Sequence, residues 1–139
     1  MAEELTTWER VIKLFQNKPE LVEEYLDVKI DRDTLVIDYR IKSARNVRSD
    51  MIFKDPDGKR YVVKINYEQS PLFGLRDVSL WAKRYAEDEG VYMTEIIPAL
   101  ICDEDCVNEY HNIKELNGWK IKYATYKKDE ILKMLEDQS

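Results

Sequence analysis

The sequence is poor in the residue types that mark several classes of protein. Its 139 residues include two cysteines, one histidine, four glycines and four prolines. So few cysteines exclude a disulfide-rich secreted scaffold, and 44% hydrophobic residues exclude a disordered chain. No run approaches the roughly 20 apolar residues that span a bilayer, and we recognise no signal peptide. We therefore expect a single cytoplasmic domain over residues 1–139.

Positive charge is also in deficit. Lysine and arginine number 22 against 28 aspartates and glutamates, which gives a net charge of −6. A chain of this charge is not a general polyanion binder, so any contact with nucleic acid requires a local basic patch. Charged residues make up 36% of the chain with both signs interleaved, a pattern typical of thermophile proteins.

The few cysteines and the histidine lie close together. Cys102, Cys106 and His111 form the spacing C-x3-C-x4-H, which is one ligand short of a closed structural zinc site. We expect free thiols, with a disulfide or a bound metal as the alternatives. His111 has no partner in the sequence that predicts acid–base catalysis.

Hydrophobic periodicity predicts an α/β protein. Apolar residues recur at helical spacing early in the chain, and the period changes to two after residue 28. Three successive strands predict an antiparallel meander, with Asp57-Gly58 as a hairpin turn, and Pro98 predicts an edge or a bend in its strand. The predicted helices are 3–16, 19–26, 73–89, 104–116 (weak) and 127–137, and the predicted strands are 34–41, 49–54, 61–67, 94–101 and 119–126. This order predicts an α/β sandwich with a mixed sheet.

The strand YVVKINYE, residues 61–68, is unusual because one of its faces is polar. Strand alternation places Tyr61, Val63 and Ile65 on one face. Lys64, Asn66 and Glu68 lie on the other, where Val62 is their apolar neighbour.

The order of elements and four stretches resemble the PD-(D/E)XK nuclease superfamily, most closely the C-terminal nuclease domain of archaeal NucS-type DNA endonucleases. The stretches are NKPELVEEYL, RSDMIFKDPDGKRYVVKIN, LRDVSLWAKRYAED and EIIPALICDE, so that the likeness covers about residues 8–104. The resemblance implies a restriction-endonuclease-like core and a site for a divalent metal.

In that superfamily, an aspartate on the second strand and a glutamate and a lysine two residues apart on the third form the catalytic site. Asp50 matches the aspartate, whereas Lys64 stands at the glutamate position and Asn66 at the lysine position. The match therefore implies a degenerate site at Asp50, Lys64, Asn66 and Glu68, in which the Lys64 ammonium replaces the metal by pairing with Asp50.

Two alternatives stay open. In the first, the enzyme is active with Mg²⁺, Asp50 and Glu68 bind the metal through a slipped or bulged strand, and Lys64 orients water. An upstream acid, one of Glu9, Glu20, Glu23 and Glu24, is a further candidate ligand. In the second, Lys64 and Asn66 lie at a solvated margin of the sheet. The superfamily also implies a polar side chain on the following helix, for which Asp77, Ser79 and Tyr85 are the candidates.

One stretch of the chain is basic. RIKSARNVR, residues 40–48, carries four cations and no acid, and two more on the next helix extend it. The predicted nucleic-acid contacts are Arg40, Lys42, Arg45, Arg48, Lys83 and Arg84; the alternative is that they pair with surface acids. The leading hypothesis is a metal-free, non-catalytic protein that binds DNA or a protein partner, or forms a homodimer, with no cofactor unless the active alternative holds.

Overall fold

The first part of the chain forms two helices joined by a proline-containing turn. The computed structural model describes residues 4–42, 47–104, 115–116 and 119–137. Helix α1, Thr7–Asn17, begins with a capping box in which Thr6 and Glu9 exchange hydrogen bonds. Helix α2, Pro19–Leu26, starts at a proline that needs no N–H partner there.

A mixed sheet of five strands forms the centre. Its strand order is β1-β2-β3-β4-β7, with a separate two-stranded sheet of β5 and β6. Strands β1 to β3 are antiparallel neighbours, whereas β3, β4 and β7 run parallel. The strands are Asp31–Arg40 (β1), Arg48–Lys54 (β2), Arg60–Ile65 (β3), Ile96–Asp103 (β4), Glu115–Leu116 (β5), Trp119–Lys120 (β6) and Lys122–Tyr126 (β7).

Helices cover both faces of this sheet. Helix α3, Pro71–Glu89, crosses from β3 to β4 and ends at Gly90 in the left-handed conformation. It buries Leu75, Val78 and Ala82 against Ile52, Val62 and Leu100. The opposite face of the sheet packs on α1, α2 and the last helix, α4, Lys128–Asp137. The predicted α/β sandwich with an antiparallel meander is therefore confirmed, and β2, β3 and β4 are largely buried on both faces because helices cover both faces there.

Two predicted elements need correction. Most of the predicted helix 104–116 lies outside the described residues, but its last two positions form strand β5. Strand β4, which contains Pro98, is central rather than at an edge. It tolerates proline because its described pairing with β7 starts only at Ala99, so that one side of the backbone is unpaired at Pro98.

The crossover from β3 through α3 to β4 positions the candidate site. Parallel strands that enclose a crossover helix bring their carboxyl ends and the start of that helix to one edge of the sheet. Strand β2 runs antiparallel to β3, so Asp50 near its start also lies at this edge. Among the described helices, none is long and apolar enough to cross a membrane.

Candidate functional site

Asp50 is at the point where the β2–β3 ladder ends. The last described pair is Met51–Val63, and beyond it the Asp50 Oδ2 atom accepts a hydrogen bond from the backbone N–H of Ile65 at 2.8 Å. Burial raises the pKa of Asp50 to about 6, against the opposing effects of the Ile65 N–H and the charge of Lys64. Asp50 is thus a poorly solvated carboxylate, as expected of a group in an enclosed site.

A second aspartate lies across the sheet from Asp50. Asp38 falls between the β1–β2 pairs Ile37–Met51 and Tyr39–Ser49, and its φ of 51° marks an irregularity in β1. Its charge contributes to the raised pKa of Asp50. Gln16 on α1 donates from Nε2 to Asp38 Oδ1 at 2.8 Å and to the Asp50 carbonyl oxygen at 3.0 Å. Neither Asp38 nor Gln16 is marked by a sequence pattern, because the contact between them depends on the packing of α1.

Lys64 is held by aromatic rings. The residue is only 6% exposed, so the alternative of a solvated sheet margin is wrong. Its Nζ atom lies 5.0 Å from the ring centroid of Trp8 and 4.9 Å from that of Trp81. Both distances are within the range of cation–π attraction. The Trp8 indole N–H donates to the Ile65 carbonyl oxygen at 2.7 Å, which fixes this ring over the end of β3.

The ion-pair partner of Lys64 differs from the predicted one. Its Nζ atom lies 3.7 Å from Oδ2 of Asp77 on α3, and the expected ion pair with Asp50 is not formed. Asp50 instead accepts a hydrogen bond from the Ile65 N–H. The charge of Lys64, which lies farther away, lowers the pKa of Asp50. Asp77 was one of three polar candidates on this helix. Ser79 bonds to its own helix and Tyr85 to Arg60, so neither joins the site.

Asn66 is buried completely beside the first turn of α3. Its backbone N–H donates to the Ile101 carbonyl oxygen, and its carbonyl oxygen accepts a hydrogen bond from Tyr126. Within the described part of the chain, neither side-chain polar atom of Asn66 has a hydrogen-bond partner. A Cβ atom on Gly74 would lie 2.3 Å from the Asn66 Nδ2 atom, so the glycine is what allows the amide to pack there.

Glu68 does not join the other predicted residues. Strand β3 ends at Ile65, and Glu68 has a φ of 54°, so strand alternation no longer applies. Its exposed carboxylate pairs with Lys128, which lowers the pKa of Glu68.

The helical acids are also engaged elsewhere or exposed. Glu9 caps α1 and Glu23 pairs with Arg32, while Glu20 and Glu24 are exposed. The α1 residues that the structure places at the site are Trp8 and Gln16, and neither carries a charge.

Acidic side chains of α3 lie beside part of the predicted basic patch. Arg40 and Arg48 are exposed and directly paired across β1 and β2. The backbone N–H of Lys42 donates to the Asp88 carboxylate at 2.6 Å, and the Arg84 side chain pairs with Glu87 at 3.3 Å. Lys83 is exposed, whereas Arg45 lies outside the described residues. Acids on α3 therefore reduce the positive charge of this surface near Lys42 and Arg84.

The C-x3-C-x4-H spacing has one member in the described part of the chain. Cys102 is buried in β4, whereas Cys106 and His111 lie outside the described residues, so that spacing stays a prediction. No group of three or more metal-ligating side chains occurs among the residues that the structure describes.

Comparison with known proteins decides the fold. No protein-family model and no curated protein matches the sequence. A repair endonuclease from Pyrococcus abyssi superposes with a TM-score of 0.52 and 13% identity, over 91% of this chain and 50% of that one. The chain has a restriction-endonuclease-like fold. A structure of an EndoMS complex with double-stranded DNA aligns with a TM-score of 0.49 and 14% identity, over 90% of this chain and 48% of that one. The chain thus spans about half the length of these structures, and the predicted nuclease-type fold is confirmed.

The divalent metal that this fold implies does not fit the side chains present. Mg²⁺ prefers hard oxygen ligands, usually one or two carboxylates with water and phosphate oxygens. The Asp50 carboxylate already accepts a backbone N–H, the facing Asp38 carboxylate accepts from Gln16, and Asp77 pairs with the Lys64 ammonium, which stands at the position that matches a ligand in the resembling superfamily. That ammonium would repel a divalent cation, and Glu68 is paired with Lys128 instead of compensating.

Trp8 and Trp81 are the site residues that sequence reasoning assigned to the core. Both occur at helical spacing with apolar neighbours, and Trp81 lies four residues after Asp77 on one side of α3. That i, i+4 relation of an acid and an aromatic residue, facing a strand that carries a buried lysine, was the available signal.

Proposed function

We propose that this protein is a nuclease-fold module that binds nucleic acid without a metal and without cleaving it. The observation that carries the proposal is the Lys64 ammonium, buried between Trp8 and Trp81 at the position that matches a metal ligand in the resembling family. One positive charge is built permanently into the site. A divalent ion beside it would have to overcome charge repulsion with one fewer carboxylate ligand.

Without a metal, the protein loses metal-dependent hydrolysis of phosphodiester bonds but keeps the exposed cations that can contact DNA. In metal-dependent phosphodiester hydrolysis, the ion activates water and stabilises charge on the phosphate. Lys64 can attract a phosphate oxygen, but an ammonium in this position does not generate hydroxide. Arg40 and Arg48 on neighbouring strands, with Lys83 on α3, are exposed cations that are suited to hold a phosphate backbone.

Metal titration is the decisive experiment. Isothermal calorimetry with Mn²⁺ should show no binding to the native protein. Labelled single-stranded, flapped and duplex DNA should stay intact with Mg²⁺ or Mn²⁺, yet shift in mobility at low salt. The doubly substituted Lys64→Glu, Asn66→Lys protein should gain Mn²⁺ affinity, because it restores the family's ligand and lysine positions.

The opposite results are equally clear. Cleavage that Asp50→Ala abolishes would establish the active alternative, with Mg²⁺ as a cofactor. Intact DNA with no affinity at low salt would leave a protein-binding or homodimeric role, which sedimentation would test. An unchanged affinity in Arg40→Glu, Arg48→Glu protein would remove these arginines from the DNA contact while leaving the site itself in question.

A further inference from the structure

Among the residues that the structure describes, the ammonium of Lys64 has no hydrogen-bond acceptor, and its side chain keeps a small exposed fraction. An ammonium has three N–H donors and needs acceptors when it leaves water. The Lys64 side chain is 7% exposed, and its nearest carboxylate oxygen, on Asp77, lies 3.7 Å away. This distance permits ionic attraction but is beyond a hydrogen bond. The other described neighbours are the faces of Trp8 and Trp81, which accept no conventional hydrogen bond.

Further unused donors lie along the same edge of the sheet. The Asn66 side chain, like that of Lys64, lies against α3, and its buried Nδ2 atom has no partner among the residues that the structure describes. Helix α3 begins beside it, and Ser70 provides no side-chain cap for the first turn. The start of a helix carries unpaired N–H groups and a partial positive charge. A set of donors without acceptors is complementary to an oxyanion.

We propose that the carboxyl end of β3 is an oxyanion site for a phosphodiester group, with Lys64 as its main ligand and Asp77 as an internal anion that competes for Lys64. This inference rests on the proposed function and specifies where a phosphate of the bound nucleic acid lies. Asp77 suits this role because its side chain is 48% exposed, so it can turn into solvent when a phosphate approaches. The Trp8 and Trp81 rings keep the lysine stem in place during the exchange.

The test measures the affinity of five proteins, the native chain and four variants, for a labelled oligonucleotide by fluorescence anisotropy. Asp77→Asn should bind roughly tenfold more tightly, the effect of about one charge-assisted hydrogen bond. Lys64→Met should bind roughly tenfold more weakly and have a salt slope lower by about one phosphate contact. Methionine keeps an apolar stem between the two rings, so a folded variant is expected, and circular dichroism checks this.

The fourth protein separates the proposed exchange from a general effect of charge. Asp77→Asn in the Lys64→Met background should have no effect, because the competitor matters only when its lysine is present. Asp57→Asn is the matched control, since it makes the same charge change at the hairpin turn before β3. An equal gain from Asp57→Asn, or a gain from Asp77→Asn that persists without Lys64, would overturn the inference.

Two further outcomes separate the inference from the proposed function. If the native protein binds DNA but Asp77→Asn does not tighten binding, the oxyanion site is wrong and the proposed function stands. Inorganic phosphate is the second probe, followed through the indole N–H resonances of Trp8 and Trp81. Phosphate-induced shifts that disappear in Lys64→Met, without any DNA affinity, would support the site but overturn the nucleic-acid function.

Discussion

The substitution Asp50→Asn should change how protein stability depends on pH. The pKa of Asp50 is raised from 3.8 to about 6, chiefly by burial. The folded protein therefore holds a proton on Asp50 that the unfolded chain has already released between about pH 4 and pH 6. The contribution of this group to stability is most favourable below about pH 4 and is lost as the pH rises through 6. A shift of about two pKa units corresponds to about 3 kcal/mol.

Urea unfolding at a series of pH values tests this reasoning, because urea is uncharged and leaves electrostatic effects unscreened. The asparagine can still accept the Ile65 N–H, whereas its own amide N–H groups add a pH-independent cost of about 1–3 kcal/mol if buried without partners. The informative quantity is thus the difference in unfolding free energy between Asp50→Asn and native protein. It should move in favour of the variant by about 3 kcal/mol from pH 4 to pH 8. A difference that stays constant over this range would refute the argument.

A control variant locates the source of the shift. Asp38 faces Asp50 across the sheet, and its negative charge helps to raise the Asp50 pKa. Asp38→Asn should move the pH-dependent change in stability toward lower pH without removing it. If Asp38→Asn abolished the pH dependence of stability, the titrating group would be Asp38 and the assignment to Asp50 would be wrong.

Three further predictions concern packing and binding at this site. Gly74→Ala should destabilise the native protein by about 1–3 kcal/mol in thermal or urea unfolding, because the new methyl group would lie 2.3 Å from Asn66 Nδ2. In an Asn66→Ala background the cost should fall, because the remaining close contact is then with the Leu100 side chain at 3.0 Å and alanine favours a helix over glycine. Trp8→Phe should cost about 1–2 kcal/mol, because the hydrogen bond to the Ile65 carbonyl oxygen is lost. DNA affinity should rise as the pH falls through about 6, when protonation of Asp50 removes a negative charge near the phosphate, and Asp50→Asn should flatten that profile in anisotropy measurements.

The elements of the fold follow largely from local sequence, because both faces of the sheet must be apolar and each turn carries its own signal. The Thr6 cap, the Asp57-Gly58 turn and the stop at Gly90 all depend on a few adjacent residues. Asp50 and Lys64 were selected through their match to a known pattern. The pattern drew attention to Asp50 and Lys64 but did not predict their partners, which depend on how α1 and α3 pack.

The unpredicted part of the site depends on long-range packing. Trp8 and Lys64 are 56 positions apart in the sequence, and Asp77 reaches Lys64 only through the crossover of α3. Glu68 was misplaced for the opposite reason, since alternation was extended past the end of β3 into a residue with positive φ. Periodicity describes regular backbone and does not predict where that regularity stops.

The balance of charge at the site explains why phosphate binding would be conditional. Three aspartates, Asp38, Asp50 and Asp77, lie near a single ammonium, so the closed site has more negative than positive charge. A phosphate would be repelled while Asp77 stays in place and Asp50 is ionised. A cleft with only a structural role would be expected to satisfy the buried ammonium with hydrogen bonds, since unsatisfied donors are costly. Among the described residues no acceptor lies within hydrogen-bond distance of the Lys64 ammonium, and the half-exposed Asp77 carboxylate lies next to it, which favours an anion that enters by exchange with Asp77.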